Sequence, residues 1–174
     1  ISACLVGSEM CIRDRLYPTS AANTSIELME SRAPVLVLEK TYVTDSGGAG
    51  ERRGGLGLRT RLRKLHDDGC PTLVSVYPEG VGLAPEGLFG GRNGGAARGA
   101  VLDAAGHVVH DCGTGELVTL TTTDRIVEIC LAGGAGFGDP RRRPAEKVDA
   151  DVADGYVSAE GAREYRAAST AAAE

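Results

Sequence analysis

Tryptophan is absent from this chain, and with only two phenylalanines and five tyrosines aromatic residues make up 4% of it. That shortage excludes the stacking platforms on which single-stranded nucleic acid is held. An excess of positive charge is lacking too: 19 Lys and Arg stand against 24 Asp and Glu, a net charge of −5. A mildly acidic chain argues against a dedicated nucleic-acid partner. No apolar run approaches the roughly 20 residues that a membrane helix needs. A Gly-x-Ser-x-Gly elbow, which would expose a serine nucleophile, is also missing.

The opening residues are of a different kind from the rest. Cys4-Leu5-Val6-Gly7-Ser8-Glu9-Met10-Cys11-Ile12-Arg13-Asp14-Arg15 resembles a translated sequencing adapter. Residues 1–15 are therefore expected to be a non-native leader carrying no fold information, as for other processing scars. Its Glu9, Asp14, Arg13 and Arg15 cancel, so the charge balance is unchanged without it. The 159 residues from Leu16 onward are enough for one core, which at that size buries roughly 70% of the unfolded surface. They retain Cys70, Cys112 and Cys130, an odd and widely spaced set that makes a poor disulfide framework and fits a reducing cytoplasm.

What the chain has in quantity is glycine, 25 residues of it, in two dense clusters. The first runs Asp45-Ser46-Gly47-Gly48-Ala49-Gly50-Glu51-Arg52-Arg53-Gly54-Gly55-Leu56-Gly57, the second Gly133-Gly134-Ala135-Gly136-Phe137-Gly138-Asp139-Pro140. Glycine loses more backbone freedom on ordering than any other residue. Clusters of it imply left-handed backbone or close approach to the main chain.

Between the clusters the pattern is that of strands. Val35, Val37, Tyr42 and Val43 are β-formers within Ala33 to Thr44, and Pro34 stands at the start, where a missing N–H is tolerated. From Leu56 to Leu65 the alternation places Leu56, Leu58, Thr60 and Leu62 on one face and Arg59, Arg61 and Arg63 on the other. Thr72 to Tyr77, Leu117 to Thr121 and Arg125 to Leu131 read as further strands, and Asp103-Ala104-Ala105-Gly106 as the turn of a hairpin. Pro78 to Gly95 reads as loop. Helix is expected at Glu146 to Val152 and, with Ser158 as N-cap, on to about Ala168, beyond which residues 169–174 fray. The fold expected is β-rich α+β, with mixed or antiparallel sheets, glycine-rich loops and a short C-terminal helical tail.

The candidate sites each admit two readings. In Asp45 to Gly57, consecutive backbone N–H groups, including those of Gly47, Gly48, Gly54 and Gly55, can form an anion nest, with Arg53 gripping a carboxylate or phosphate. Alternatively the segment is a tight connection in which Asp45 and Ser46 bond the backbone, which turn chemistry favours. It is not a P-loop, since no Gly-Lys-Ser/Thr follows. The second cluster does not fit Gly-x-Gly-x-x-Gly and reads better as a buried glycine crossing. Asn23, Glu27 and Glu30 fall near one face of a helix over Thr24 to Glu30. There they either hold a substrate or cation through oxygen, or form a short helix capped by Asn23 with Glu27 exposed. His66-Asp67-Asp68 and His107/His110-Asp111-Cys112 lack the paired spacing of a structural zinc site, so no metal site is assigned. The Arg59/Arg61/Arg63 ladder reads as a solvated or interface face.

Several ordered motifs together resemble the hydantoinase B/5-oxoprolinase family. Asn23-Thr24-Ser25-Ile26-Glu27-Leu28-Met29-Glu30 resembles its Asn-x-Pro-x-Glu-x-x-Glu stretch, with Ser25 at the proline position. Asp45 to Gly50 with Arg53-Gly54-Gly55-Leu56-Gly57 resembles its most specific motif, Gly87-Leu88-Phe89-Gly90-Gly91 a further glycine element, and Gly133 to Pro140 followed by Val148, Asp151-Val152 and Asp154-Gly155 its C-terminal signature. Ala135 interrupts the family's glycine run. The resemblance covers nearly all of residues 17–165 and implies the C-terminal part, over residues 16–168, of a much longer B-type subunit. It implies an ATP-dependent hydrolase of small cyclic amides such as 5-oxoproline or N-methylhydantoin. ATP with magnesium would then sit on a hydantoinase A-type partner or fused half, and a divalent metal, where present, in the missing N-terminal part. By the same resemblance the fragment alone is inactive, and the substrate-facing candidates are Asn23, Glu27, Glu30, Asp45, Ser46, Gly47, Gly48, Arg53, Gly54 and Gly55. Two alternatives stay open: an acetone or acetophenone carboxylase-type subunit, and a non-catalytic subunit-docking region.

Overall fold

Among the described residues seven short strands, all but the last two joined through glycine-containing connections, are laid into two sheets. The computed structural model describes residues 25–78 and 80–166. The leader 1–15, Asn23 and the tail 169–174 lie outside them. In chain order the elements are α1 (Ile26–Arg32), β1 (Val35–Tyr42), β2 (Leu58–Lys64), β3 (Thr72–Val76), β4 (Arg98–Leu102), β5 (Val108–Cys112), β6 (Glu116–Leu120), β7 (Ile126–Cys130), a 3-10 turn (Pro140–Arg142), α2 (Ala145–Ala153) and α3 (Arg163–Arg166). One sheet has the order β1-β2-β7-β4-β5, the other is the ribbon β3-β6. Every ladder is antiparallel. Parallel pairing is confined to two isolated bridges, Val81 with Ala97 and Leu88 with Phe137.

The two sheets bury one face of each against the other. Leu62, Val127 and Val101 stand in register across β2, β7 and β4, and they share one apolar cluster with Val76, Val118 and Leu120 of the ribbon. Alternation sends the intervening residues outward. On the ribbon, Leu73 and Leu117 remain 59% and 56% exposed. On the five-stranded sheet the outward residues form a ladder of charge. Glu39 of β1, Arg61 of β2 and Glu128 of β7 are paired in one row. Arg61 bonds Glu128 at 2.6 Å and approaches Glu39 at 3.3 Å, while Arg59 reaches Glu39 at 2.7 Å. The arginine row is thus a paired, partly covered face and not a solvated one. Carboxylates interleaved from the neighbouring strands made the difference, and a single strand cannot reveal them.

Lys64 is fully buried and tied to Asp68 at 2.5 Å. Asp68 also accepts from the Cys70 N–H, and Asp67 accepts from the N–H and hydroxyl of Thr123. The His66-Asp67-Asp68 segment is a polar turn that joins β2 to the strand entry before β7.

Two local expectations are corrected. α1 spans Ile26–Arg32 with Ser25, not Asn23, as its N-cap: the Ser25 side chain accepts from the Leu28 N–H. Glu27 and Glu30 stand three apart on α1, near one face as expected, and Glu30 Oε1 accepts from the Val37 N–H at 2.8 Å. β1 is an edge strand, and capping one of its outward donors blunts that edge. The helix expected from Ser158 begins only at Arg163. Ser158 still caps the turn ahead of it, its Oγ accepting from Gly161 N and its carbonyl from Ala162 N, so the cap stands where expected and the helix is shorter.

Candidate functional site

Three glycine segments from distant parts of the sequence meet at one end of the larger sheet. The connection from β1 to β2 (residues 43–57), the loop around residues 87–95, and the segment after β7 (residues 131–138) lie main chain against main chain. Gly48 N donates to Gly134 O (2.8 Å), Gly134 N to Gly55 O (2.8 Å), Gly136 N to Arg92 O (2.8 Å), Arg92 N to Ala49 O (2.7 Å), Gly133 N to Gly95 O (2.9 Å) and Gly95 N to Ser46 O (2.7 Å). Arg52 and Phe137 exchange both bonds at 3.0 Å. Such contact requires the absence of Cβ. A Cβ placed on Gly54 would collide with the Gly134 carbonyl, one on Gly133 with that of Ser46, and one on Gly136 with that of Ala49.

Asp45, exposed at the rim, and Ser46, buried, are both fixed by bonds at this junction. Asp45 has φ 61°, a left-handed conformation that Asp tolerates better than most residues. Its Oδ1 accepts from Ser158 N at 2.8 Å and its N–H donates to Tyr156 O at 3.1 Å. Ser46 donates its hydroxyl to Val43 O at 2.5 Å and accepts from Gly57 N at 2.8 Å.

Arg53 lies against the C-terminal helices. Its Nε and Nη2 face the two carboxylate oxygens of Asp151 at 3.2 and 3.4 Å, and its Nη1 donates to Gly54 O at 2.8 Å. Its guanidinium lies 5.6 Å from the centre of the Tyr156 ring, a cation–π contact. Arg143 Nη2 binds the same carboxylate at 2.7 Å. All three side chains are 12–15% exposed. Beside them Ala49, Val148, Val157, Ala162 and Tyr165 form a second apolar cluster, and burial pushes the Tyr165 phenol up. Past the C-cap Asp154 of α2, Gly155 with φ 74° closes the helix in the left-handed manner typical of a C′ glycine. That reversal returns Tyr156 to Asp45.

The rim of the junction carries the other unusual residue. Phe89 has φ 52°, is 81% exposed, and stacks at 5.1 Å, tilted by 60°, on Phe137. At the other side Asp139 caps the 3-10 turn, accepting from the N–H and guanidinium of Arg141. The side-chain bond from Arg141 is the main cause, and the backbone bond the next, of its pKa falling to about 2. A depressed carboxylate stabilises the fold above its unfolded value and loses that contribution as pH falls through the folded one. Asp139→Asn should therefore lower the melting midpoint at neutral pH, and the difference from wild type should vanish in melts near pH 2. Added salt should also shrink it, since the pair is exposed.

Of the sequence-based candidates, the structure brings Asp45, Ser46, Gly47, Gly48, Arg53, Gly54 and Gly55 together, and leaves Glu27 exposed on α1 and Glu30 bonded to β1. Asp151, the partner of Arg53, and Arg143, which shares that carboxylate, were not among the sequence-based site candidates. The signal was faint: Arg141-Arg142-Arg143 followed eight residues later by an aspartate on the apolar face of a helix.

A two-layer antiparallel domain locked by glycine main-chain contacts is no nucleotide-binding α/β unit. The family model for hydantoinase B/oxoprolinase matches residues 14–140, and the chain belongs to that family. It is 39% identical over 147 residues to the caprolactamase subunit beta of Pseudomonas jessenii, covering 79% of this chain and 24% of that protein. It is 32% identical over 122 residues to 5-oxoprolinase of Dictyostelium discoideum, covering 70% of this chain and 9% of that one. The crystal structure of ATP-dependent caprolactamase from Pseudomonas jessenii superposes with a TM-score of 0.67 at 37% identity, over 82% of this chain and 25% of that chain. A nucleotide-free acetone carboxylase structure gives 0.62 at 21% identity, covering 83% and 23%, and shares the fold. The chain thus spans a quarter or less of the length of these relatives. Among the described residues no helix is long and apolar enough to cross a membrane.

Proposed function

We propose that this chain is part of the B-type subunit of a cytoplasmic, ATP-dependent hydrolase of small cyclic amides, of the 5-oxoprolinase or N-methylhydantoinase type. The observation that carries the reading is the 39% identity to a caprolactamase beta subunit over four-fifths of the chain, with the same fold. The ATP and magnesium belong with a hydantoinase A-type partner or fused half. The residues here do not fit a nucleotide: the N–H groups of Gly48, Gly54, Gly133, Gly134 and Gly136 all donate to main-chain carbonyls, and no Gly-Lys-Ser/Thr follows the glycines.

Within that reading the substrate-facing set divides by geometry. Gly55 has nothing within 4 Å of a Cβ position, and Glu27 is exposed, so both remain open to a ligand. Asp45, Ser46, Gly47, Gly48 and Gly54 act by holding a rigid wall, and Asp151 positions Arg53. The chain supplies wall and scaffold, and the partner supplies the phosphoryl group that activates the ring carbonyl. The test is ADP and ring-opened product release from 5-oxoproline, N-methylhydantoin or caprolactam. The complete subunit bearing this segment, combined with its A-type partner, should show ATP-dependent opening of at least one, and the 174-residue chain alone should show none. Turnover by the isolated chain would contradict the assignment.

Exposed Leu83, Leu88 and Phe89 (73%, 50% and 81%) favour a second role, docking of the partner subunit. Arg53→Ala in the assembled enzyme separates the two. Turnover lost at least tenfold with assembly intact marks a site wall, whereas lost co-elution marks a docking surface.

A further inference from the structure

The turn from β5 to β6 joins the two sheets, since β5 lies at the edge of the five-stranded sheet and β6 in the ribbon. His110 and Cys112 stand two apart on β5, on one face, and Glu116 opens β6 across the turn. The ligand atoms of these three residues all lie within 4.8 Å of one another. His110 Nε2 meets Glu116 Oε1 at 2.5 Å, and Glu116 Oε2 accepts from Gly113 N at 2.9 Å. The turn is itself held down: Gly115 N donates to Val76 O at 3.0 Å, and Thr114 Oγ1 donates to Pro78 O at 3.2 Å.

We propose that His110, Cys112 and Glu116 form a binding site for one zinc-like divalent cation, which staples the two sheets together at this turn. Imidazole, thiolate and carboxylate are the three zinc ligand types, with bonds of about 2.0–2.3 Å. Around a tetrahedral ion such ligands stand roughly 3.3–3.8 Å apart, a spacing bracketed by the contacts present. The imidazole–carboxylate contact opens by less than an ångström, and the thiol swings inward by a similar amount. His110 is 55% exposed at its side chain, so water takes the fourth position, as in three-ligand zinc sites. Cys112 is 4% exposed and lies on the core side. The thiol proton leaves to solvent as the cation binds and supplies the compensating charge. Asp111, on the opposite face of β5, is engaged by Arg98 at 3.0 Å and takes no part. The spacing His-x-Cys-x-x-x-Glu does not announce this in sequence, because the third ligand arrives across the turn.

The test is titration of the 174-residue chain with Co2+, followed by competition with Zn2+. One equivalent should produce the near-ultraviolet thiolate-to-cobalt charge-transfer absorption together with tetrahedral d–d bands. Saturating Zn2+ should raise the melting midpoint by about 5 °C. His110→Ala and Glu116→Gln should each weaken binding at least tenfold, and Cys112→Ser should abolish the charge-transfer band. Should Cys112→Ser fail to fold, the exposed His110→Ala variant decides, read by both absorbance and the Zn2+-induced melting shift. A variant with Cys4, Cys11, Cys70 and Cys130 replaced by Ser should keep the band. No band in wild type, a band lost with those four cysteines, or a zinc-induced shift unchanged in His110→Ala would each overturn the proposal.

Discussion

Gly54→Ala is expected to destabilise the chain by roughly 3 kcal/mol or more, at the upper end of overpacking costs, while Gly55→Ala next to it changes stability by about 0.5 kcal/mol or less. The contrast comes from one residue step. A Cβ on Gly54 falls on the Gly134 carbonyl and crowds Ala135 O at 2.8 Å, whereas a Cβ on Gly55 meets nothing within 4 Å. The obstacle at Gly54 is backbone, and backbone cannot rotate away as a side chain can. Gly134 is bonded on both sides, accepting from Gly48 N and donating to Gly55 O. Moving it breaks two bonds to the β1–β2 connection together. Neither position has positive φ, so conformational strain does not confuse the comparison. Urea melts of the two variants measure the difference. Equal and small effects would mean that the loops are not pressed together.

The second large effect concerns charge. Asp151→Asn should cost roughly 3–5 kcal/mol, the penalty for leaving buried charge uncompensated. Asp151 holds Arg53 at 3.2 Å and Arg143 at 2.7 Å, with all three side chains 12–15% exposed. Asparagine keeps the shape and removes the counter-charge, so two guanidinium groups are left facing each other in a poorly solvated site. Arg143 is ill placed to recover, since its Nε is buried with no partner. The control is Asp149→Asn on the same helix. Asp149 pairs with Arg166, but both side chains are more than 60% exposed, and such pairs contribute about 0–1 kcal/mol. A melting midpoint about 10 °C lower for Asp151→Asn, with Asp149→Asn near wild type, is the expected result.

Strand positions were the most legible part of this sequence. β2 is an example: alternating leucine and arginine from Leu56 to Leu65 marks a strand observed at Leu58–Lys64, because period-two alternation is a local property. The Asp103–Gly106 turn was legible for the same reason, with Asp103 accepting from Ala105 N and His107 N and Gly106 at φ 88°. What the glycines touch was not legible. The clusters announce close approach, but that residues 54 and 134 approach one another depends on the route of the chain through the six strands between them. Charge partners were hidden likewise. Glu39 and Glu128 flank Arg61 only through sheet register, and Asp151 reaches Arg53 only because α2 packs on Ala49. The Ser158 cap was legible because it is local, its Oγ accepting from Gly161 N, whereas the bond from its own N–H to Asp45 was not.

Amide hydrogen exchange tests most directly whether the glycine segments are a closed main-chain junction or open loops with donors free for an anion. The account predicts that the amides of Gly48, Arg92, Gly133, Gly134 and Gly136 exchange only with global unfolding, as slowly as Val127 in β7, while Gly69 and Gly106 exchange rapidly. Exchange of the junction amides as fast as those two turn glycines would contradict it.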